Sequence, residues 1–377
     1  KIARSYVVKV VCTLSARRSS SSGCGSLKNI IIPNSVTTIG EGAFKWCSGL
    51  TGITIPDKVI SIEECAFYGC KKLTALHIPA SVTYVGTPAK YYMTTITVDE
   101  GNTVYDSRNN CNAVIETASN TLVMGCSGTI IPNTVTSIYA GAFQHCETLT
   151  RIVIPESVTS IGDYCFQNCN NLTEIICAAT TPPTCGANTF EKVPTSTPVY
   201  VPAGSVDAYK AADIWKDFTN IQAIQSYGIK VADIDVTQAN ANDVLGDGTV
   251  KYDKDTRTLT LTNTNIEAHD NTPGKGKGIL VEANYVTIQL NGINTISSEA
   301  NWGIAFRVTT GCQIVGPGKA TVNGICLDQS DLLIKECTMN IYAVGKWSII
   351  GNYGNDKEKL TIDNAYVYVG PASEFTC

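Results

Sequence analysis

Hydrophobic residues in the first half of the chain recur with a fixed 23-residue period. Three segments align without gaps, from Asn34 to Pro56, from Asp57 to Pro79 and from Thr134 to Pro155. The aligned columns are Val36, Val59, Val135 and Val158; Ile39, Ile62, Ile138 and Ile161; Phe44, Phe67, Phe143 and Phe166; Cys47, Cys70, Cys146 and Cys169; and Leu50, Leu73, Leu149 and Leu172. A fixed period of this length is typical of solenoids.

A single repeat cannot bury its own Val, Ile, Phe and Leu side chains, so neighbouring repeats must stack around one continuous core. The segment Leu50 to Pro56 alternates inward and outward residues near its end, as a β-strand does, and proline closes it. We therefore predict stacked repeats from residue 24 onward. Their parallel strands should end at Pro33, Pro56, Pro79, Pro132 and Pro155.

Between Ala80 and Pro132 the period lapses, which predicts an insertion at about residues 94–126. Within it, Asn112–Thr117 and Asn120–Met124 are expected to form a hairpin around Ala118 and Ser119. In that register Cys111 faces Cys126, either as a cross-strand disulfide or as two reduced, half-buried thiols. After Cys169 the pattern dissolves, and a short amphipathic helix within residues 180–224 is expected to cap the stack.

The repeated string IP-x-SV-x-x-IG-x-x-AF-x-x-C-x-x-L-x-x-I-x-IP resembles the BspA-like leucine-rich repeat family of host-associated bacteria and some mucosal protists. The segment Asn102–Thr117 and the closing segment Val199–Tyr209 are also similar to parts of that family. The resemblance covers residues 24–224, whereas residues 1–23 form an atypical N-terminal segment. It implies a secreted or surface-attached adhesion protein, which the periodicity alone does not.

The second half of the chain has a different pattern, because the 23-residue period ends before Tyr227. Val244–Tyr252 and Thr258–Asn263 predict a hairpin. After it, the starts Gly278-Ile, Gly303-Ile, Gly324-Ile and Ser348-Ile recur at spacings of 25, 21 and 24, each leading to an apolar strand. We predict a right-handed parallel β-helix over residues 225–377, which resembles β-helical carbohydrate-binding domains. The expected fold is thus mostly β, a leucine-rich repeat solenoid joined to a β-helix.

Composition excludes several classes of function. Charged residues make up 16% of the chain and the net charge is −5, so nucleic acid is not expected as a partner. No apolar run is long enough to span a membrane. Since the chain starts at Lys1, we expect a fragment whose export signal and surface anchor lie elsewhere.

The sequence offers no arrangement of residues that is typical of catalysis. The three histidines, His77, His145 and His269, have no neighbours at the spacing of a metal pair or a nucleophile relay. The cysteine column is expected to point into the core as small hydrophobic side chains. We predict no enzyme, no metal and no cofactor. A polysaccharide lyase or hydrolase, or an accessory module of one, stays the alternative because such enzymes use β-helices.

Candidate ligand-binding residues fall into two groups. Outward positions of the repeat strands should form columns on one sheet face. These candidates are Thr51, Thr54, Thr74, His77, Thr150, Arg151, Thr173 and Glu174. In the second half, exposed rings could stack on sugar faces, and these candidates are Trp302, Trp347, Tyr285, Phe306 and Tyr353. The simpler interpretations are that threonine suits exposed strands and that the rings cover turns.

The resulting hypothesis is an extracellular or cell-surface adhesion protein, monomeric and without a membrane span in this chain. The repeat sheet would bind a host matrix protein or glycan, and the β-helix would add a polysaccharide contact.

Overall fold

The computed structural model describes residues 7–8, 25–86, 92–268, 277–298, 302–307, 309–328, 330–342, 349–351 and 359–369. The chain is mostly β, with many short parallel strands. It divides into two compact units, Lys1–Ile224 and Gln225–Cys377.

Two-residue strands form a ladder along the first unit, which we call the short-strand ladder. Thr38, Ser61 and Tyr84 occupy equivalent register positions, and each strand pairs in parallel with the next. One sheet contains Val7–Val8, Thr38–Ile39, Ser61–Ile62 and Tyr84–Val85, and the other contains Thr184–Cys185, Ser160–Ile161, Ser137–Ile138, Thr121–Met124, Val114–Glu116 and Tyr105–Asp106. Val7–Val8 lies in the segment that the sequence marks as atypical, yet it pairs with Thr38–Ile39.

Longer strands form a second ladder, which we call the long-strand ladder. In Ala75–Ile78 exposed and buried residues alternate, as the sequence predicts. One sheet pairs Ala75–Ile78 with Thr95–Val98, and the other contains Arg151–Ile154, Glu174–Cys177, Val199–Val201 and Ile221–Ala223. The buried residues of the first unit form two hydrophobic clusters, one on each side of the insertion, and the inserted strands contribute to both.

The phenylalanine and cysteine columns lie in the core, which confirms that part of the prediction. The rings of Phe143 and Phe166 stack with centroids 5.1 Å apart, and Phe190 extends the stack at 5.3 Å. The Cys169 thiol donates a hydrogen bond to the Phe143 carbonyl, 3.2 Å away, and so links adjacent turns. Burial raises the pKa of the equivalent Cys70 thiol to about 12. The Cys70 thiol is therefore a neutral packing group.

The insertion begins later than the sequence predicts. Thr95–Val98 was expected within it, but this strand pairs in parallel with Ala75–Ile78 and continues the long-strand ladder. The added residues form the antiparallel strands Tyr105–Asp106, Val114–Glu116 and Thr121–Met124. Thr121–Met124 then pairs in parallel with Ser137–Ile138. The hairpin therefore supplies a strand to the short-strand ladder instead of projecting from it.

Cys111 and Cys126 are buried thiols that no disulfide joins, so the second of the two alternatives holds for their oxidation state. Val114 pairs with Met124, and a register shift follows between Val114 and Ile115. The Cys126 thiol instead donates to the carbonyl of Asn112, 3.3 Å away.

Aromatic residues close the end of the first unit. The short helix expected in this segment spans Val206–Ala211. Tyr209 and Trp215 are fully buried, and their rings lie 5.2 Å apart. The Tyr209 hydroxyl donates to the Ala179 carbonyl and the Trp215 indole to the Pro183 carbonyl, each at 2.9 Å. The 3-10 helices among the described residues are Arg108–Asn110, Ala203–Ser205 and Trp215–Asp217.

In the second unit, successive strands pass in turn to three sheets, so each turn of the chain gives one strand to each sheet. The first sheet contains Ile234–Thr237, Ser226–Val231, Ile279–Val281, Ile304–Arg307, Ile325–Asp328 and Ile349–Gly351; the second contains Val250–Asp253, Thr258–Thr262, Thr287–Asn291, Cys312–Val315, Asp331–Lys335 and Lys359–Asp363; the third contains Asn265–Ala268, Ile293–Ser298, Lys319–Val322, Thr338–Ile341 and Tyr366–Val369. The isoleucine of each Gly-Ile or Ser-Ile pair is the first residue of a strand in the first sheet.

Pairing is parallel along each of these sheets after the opening hairpins. Val250–Asp253 pairs antiparallel with Thr258–Thr262, as expected, and Ser226–Val231 pairs antiparallel with two neighbours. The interior is aliphatic, with Ile288, Ile314 and Ile334 at equivalent positions on successive strands. Asn294 is fully buried near the start of the strand Ile293–Ser298, where its Oδ1 accepts from the Thr264 N–H and its Nδ2 donates to the Lys319 carbonyl.

Candidate binding surfaces

The threonine column at the start of the long strands is exposed, but two of its hydroxyls bond to the backbone of the preceding turn. Thr51 Oγ1 donates to the Lys28 carbonyl at 3.2 Å, and Thr173 Oγ1 donates to the Thr150 carbonyl at 2.9 Å. Thr94, which the sequence did not place in this column, donates to the Thr74 carbonyl at 3.2 Å. These bonds tie each turn to the preceding one.

The charged candidates on the long-strand ladder contact each other. Arg151 and Glu174 are paired in register, and Arg151 Nε donates to Glu174 Oε2 at 2.5 Å. Their charges therefore neutralise one another at the surface. Along the other sheet, a hydrogen bond of 3.0 Å joins His77 Nδ1 and Thr97 Oγ1, and His77 Nε2 lies 3.9 Å from Asp99 Oδ2.

The outward face of the long-strand ladder is open at one end and covered at the other. The exposed residues on the open part are Ala75, His77, Thr95 and Thr97, and Thr54 on an earlier turn is also exposed. Arg151, Val153 and Glu174 are half-buried, and Ile176 is fully buried. The face around His77 is therefore the part most open to a partner.

In the second unit, the structure does not assemble the predicted aromatic platform. Phe306 is fully buried, because its side chain points into the interior between Val281 and Leu327 of the neighbouring strands. Its assignment as a ligand-binding residue was wrong. Trp302 is half-buried. Trp347 and Tyr353 lie outside the described residues.

Of the three predicted rings that the structure describes, only Tyr285 is strongly exposed, with 62% of its surface accessible. Its backbone φ is +56°, a left-handed value that is uncommon for a bulky residue. The ring lies against Gly311, where an added Cβ would come within 2.4 Å of Tyr285 Cδ1. Gly311 thus allows the tyrosine ring to lie close to the next turn.

Sequence reasoning missed a group of rings on the turns of the first unit. Trp46, Tyr68 and His145 form this group, which we call the seam cluster. Trp46 and Tyr68 meet edge to face with centroids 4.9 Å apart, and Tyr68 and His145 do so at 5.6 Å. Trp46 belongs to a turn before the insertion and His145 to a turn after it, so the cluster bridges the seam between the two sets of repeats.

Polar groups surround the seam cluster. The Lys45 ammonium lies 5.2 Å from the centroid of the Tyr68 ring. Asn168 Nδ2 and His145 Nε2 are 3.4 Å apart, and the Tyr92 hydroxyl donates to Glu147 Oε2 at 3.2 Å. Burial lowers the pKa of His145, and the nearby Glu147 carboxylate opposes that shift. The imidazole is therefore neutral near pH 7 and can both donate and accept a hydrogen bond.

Among the described residues, no three His, Cys, Asp or Glu side chains lie close enough together to hold a metal ion. Within the same part of the chain, no helix has the length and hydrophobicity that a membrane span requires.

Comparison with known proteins identifies the repeats. A family model described as the BspA type leucine-rich repeat region matches six copies, across residues 17–117 and 124–212, just over half of the chain. None of the curated proteins compared with the chain matches it.

Several solved structures are similar to the chain. A leucine-rich cell surface protein from Faecalibacterium prausnitzii has 26% identity and a TM-score of 0.35, covering 53% of this chain and 60% of that one. The chain therefore spans less than two thirds of that protein. The pneumococcal vaccine antigen PcpA has 12% identity and a TM-score of 0.35, with coverages of 92% and 69%. A leucine-rich repeat protein from Bacteroides ovatus has 15% identity and a TM-score of 0.31, with coverages of 95% and 82%.

Proposed function

Because this chain belongs to the BspA-type leucine-rich repeat family, we propose that it is a bacterial cell-surface adhesion protein that binds and does not catalyse. Its long-strand ladder recognises a host matrix protein or glycan. The observation that carries this proposal is the open face around Ala75, His77, Thr95 and Thr97, where four outward side chains from two adjacent strands are exposed.

The geometry of this face supports a binding role. Adjacent parallel strands are about 4.8 Å apart, so their outward side chains form a closely spaced, rigid array. The backbone beneath is held by the ladder, and the Thr94 hydroxyl ties it to the preceding turn. Little conformational entropy is then lost when a partner docks, which favours affinity.

For the second unit, we propose a right-handed parallel β-helix that contacts polysaccharide. The support is the order of its strands, which pass in turn to three sheets. Tyr285, held open against Gly311, and the half-buried Trp302 are the described residues we assign to this contact. Trp347 and Tyr353 stay predictions.

Binding of the full chain to immobilised matrix proteins and mucin glycans tests the ladder proposal. The double variant His77→Ala with Thr97→Ala should lower the affinity at least tenfold, because it removes the larger exposed side chain of each strand from the open face. Lys72→Ala is the matched control, since Lys72 is exposed in the turn before the same strand. It should leave binding unchanged.

The proposal fails if the wild-type chain binds none of these probes, or if the double variant and the Lys72 control behave alike. Release of reducing ends or unsaturated uronides from polysaccharide by the wild-type chain would instead favour the enzyme alternative. For the second unit, Tyr285→Ala should weaken retention on polysaccharide columns, and unchanged retention would remove Tyr285 from that contact.

A further inference from the structure

In the first unit, one position of the repeat has a left-handed backbone conformation in every described repeat that contains it. The residue two places after each stacked phenylalanine has φ between +58° and +77°. The residues at this position are Trp46, Gly69, His145, Asn168 and Lys192. Glycine adopts this conformation without a Cβ penalty, and asparagine tolerates it better than other residues.

Trp46 is the most unexpected residue at this position, because bulky side chains rarely adopt a positive φ, whereas histidine does so more often. Trp46, His145 and Lys192 all carry a conformational penalty that Gly69 and Asn168 largely avoid. Trp46 and His145 do not lie apart, because both contact Tyr68 in the seam cluster. Strained backbone at such a site supports a hypothesis of function.

The packing of Trp46 explains how its ring is held. A Cβ at Gly69 would lie 2.5 Å from Trp46 Cε3, so the indole lies against the Gly69 backbone of the next turn. Tyr68 then contacts the indole at close to a right angle, 85° between ring planes. Even so, 40% of the Trp46 surface is exposed. A large ring held in one orientation but open to solvent is preorganised for contact.

We propose that the seam cluster is a glycan-binding site that takes a neutral hexose residue. The apolar C–H face of the sugar stacks on the Trp46 indole, and its hydroxyls bond to the neutral His145 imidazole and the Glu147 carboxylate. A few polar groups around an aromatic wall are typical of small-molecule sites. This inference deepens the proposed function, because it rests on a binding role and names a ligand class at a second place.

Charge at the rim favours a neutral ligand. The Lys45 ammonium already lies over the Tyr68 ring, so it disfavours a cationic group there. Glu147 is an acid on the same rim, bonded to the Tyr92 hydroxyl, and it disfavours an anionic group. A polyhydroxylated ligand satisfies donors and acceptors of both kinds without requiring a net charge.

The test separates binding from folding, because His145→Asn should weaken binding without lowering stability. In the full chain, Trp46→Gly and His145→Asn each put a residue that suits left-handed backbone at this position. His145→Asn should keep or raise the midpoint of thermal unfolding, whereas Trp46→Gly also loses the packed indole and serves as a binding variant only. Both variants should lower binding at least tenfold on an immobilised panel of neutral hexose and N-acetylhexosamine oligosaccharides. Lys192→Gly is the matched control, since it relieves the same backbone strain away from the cluster and should leave glycan binding intact.

Three results would overturn the inference. The first is a wild-type chain that retains no member of the panel, and the second is unchanged retention by both cluster variants. The third is a lower unfolding midpoint in His145→Asn, which would show that the imidazole holds the turns together. The double variant at His77 and Thr97 keeps the seam cluster intact, so the ladder proposal and this inference can fail independently.

Discussion

The two units both stack turns of parallel strands, but they fix the length of a turn by different means. In the first unit, stacked phenylalanine rings and thiol-to-carbonyl hydrogen bonds recur on successive turns. Each of these contacts requires its residue at one position, so the repeated turns keep one length. In the second unit, strand starts follow one another at unequal spacings, from Gly278 to Gly303, then to Gly324 and Ser348. Its aliphatic interior accepts such variation because only the strands must stay in register.

The two interiors therefore differ in how strictly they constrain the side chains packed in them. A phenylalanine ring stacked between two parallel rings can adopt only one orientation. A column of isoleucines fills the interior with fewer restrictions on side-chain orientation. The first unit should therefore lose more stability than the second when a buried ring is replaced by a side chain of similar volume.

The largest predicted effect concerns two buried phenylalanines. Phe166→Leu removes stacking on both Phe143 and Phe190, so it should cost about 3 kcal/mol of unfolding free energy. Phe306→Leu, between aliphatic neighbours, should cost about 1 kcal/mol. Denaturant unfolding of the full chain measures both. Equal losses would contradict the comparison.

The second prediction concerns glycines that receive an aromatic ring, one in each unit. Gly69→Ala and Gly311→Ala place a Cβ within 2.5 Å and 2.4 Å of Trp46 and Tyr285, at φ of +77° and +66°. Each should cost about 1–2 kcal/mol or more, from backbone strain alone. Gly52→Ala is the control, because no atom lies within 4 Å of its added Cβ. Thermal unfolding should show the control within about 0.5 kcal/mol of wild type.

The smallest predicted effect concerns one surface ion pair in each unit. Arg151–Glu174 is short and half-buried, whereas Arg307 Nη1 and Glu282 Oε1 are 3.0 Å apart and more exposed. Arg151→Ala should cost roughly 0.5–1 kcal/mol and Arg307→Ala roughly 0.3 kcal/mol, with both losses shrinking at high salt. A loss at Arg307 that exceeds the loss at Arg151 would contradict this order.

Most of the first unit could be predicted from the sequence, because the same side chains that pack between turns also recur at a fixed spacing. The Phe and Cys residues recur at one spacing in the sequence, and the structure buries them as expected. The insertion was harder to place. Thr95–Val98 follows Ala75–Ile78 at a shorter spacing than the regular period, so a search for that period missed it. Cys111 and Cys126 were expected to face each other only because a register shift at Val114 could not be foreseen.

The candidate sites were less predictable than the fold. Phe306 was assigned to the surface, but it lies in the strand Ile304–Arg307 two residues after the buried Ile304, so its side chain points into the same interior. The sequence does contain one sign of the seam cluster, since Trp46 and His145 occupy the repeat position of Gly69 and Asn168. This substitution can be interpreted only once the position is known to require a positive φ.

The 23-residue period, its end before Tyr227 and the core columns could be recognised in the sequence, since each depends on residues at fixed spacings along the chain. Which outward residues remain exposed, in contrast, depends on tertiary packing. His77 is open and Ile176 buried at equivalent strand positions, because coverage comes from packing that periodicity does not encode. The tertiary structure likewise brought Tyr68 and His145 together across the insertion. Contacts between distant turns depend on how the turns stack, and the spacing of residues in the sequence does not specify that stacking.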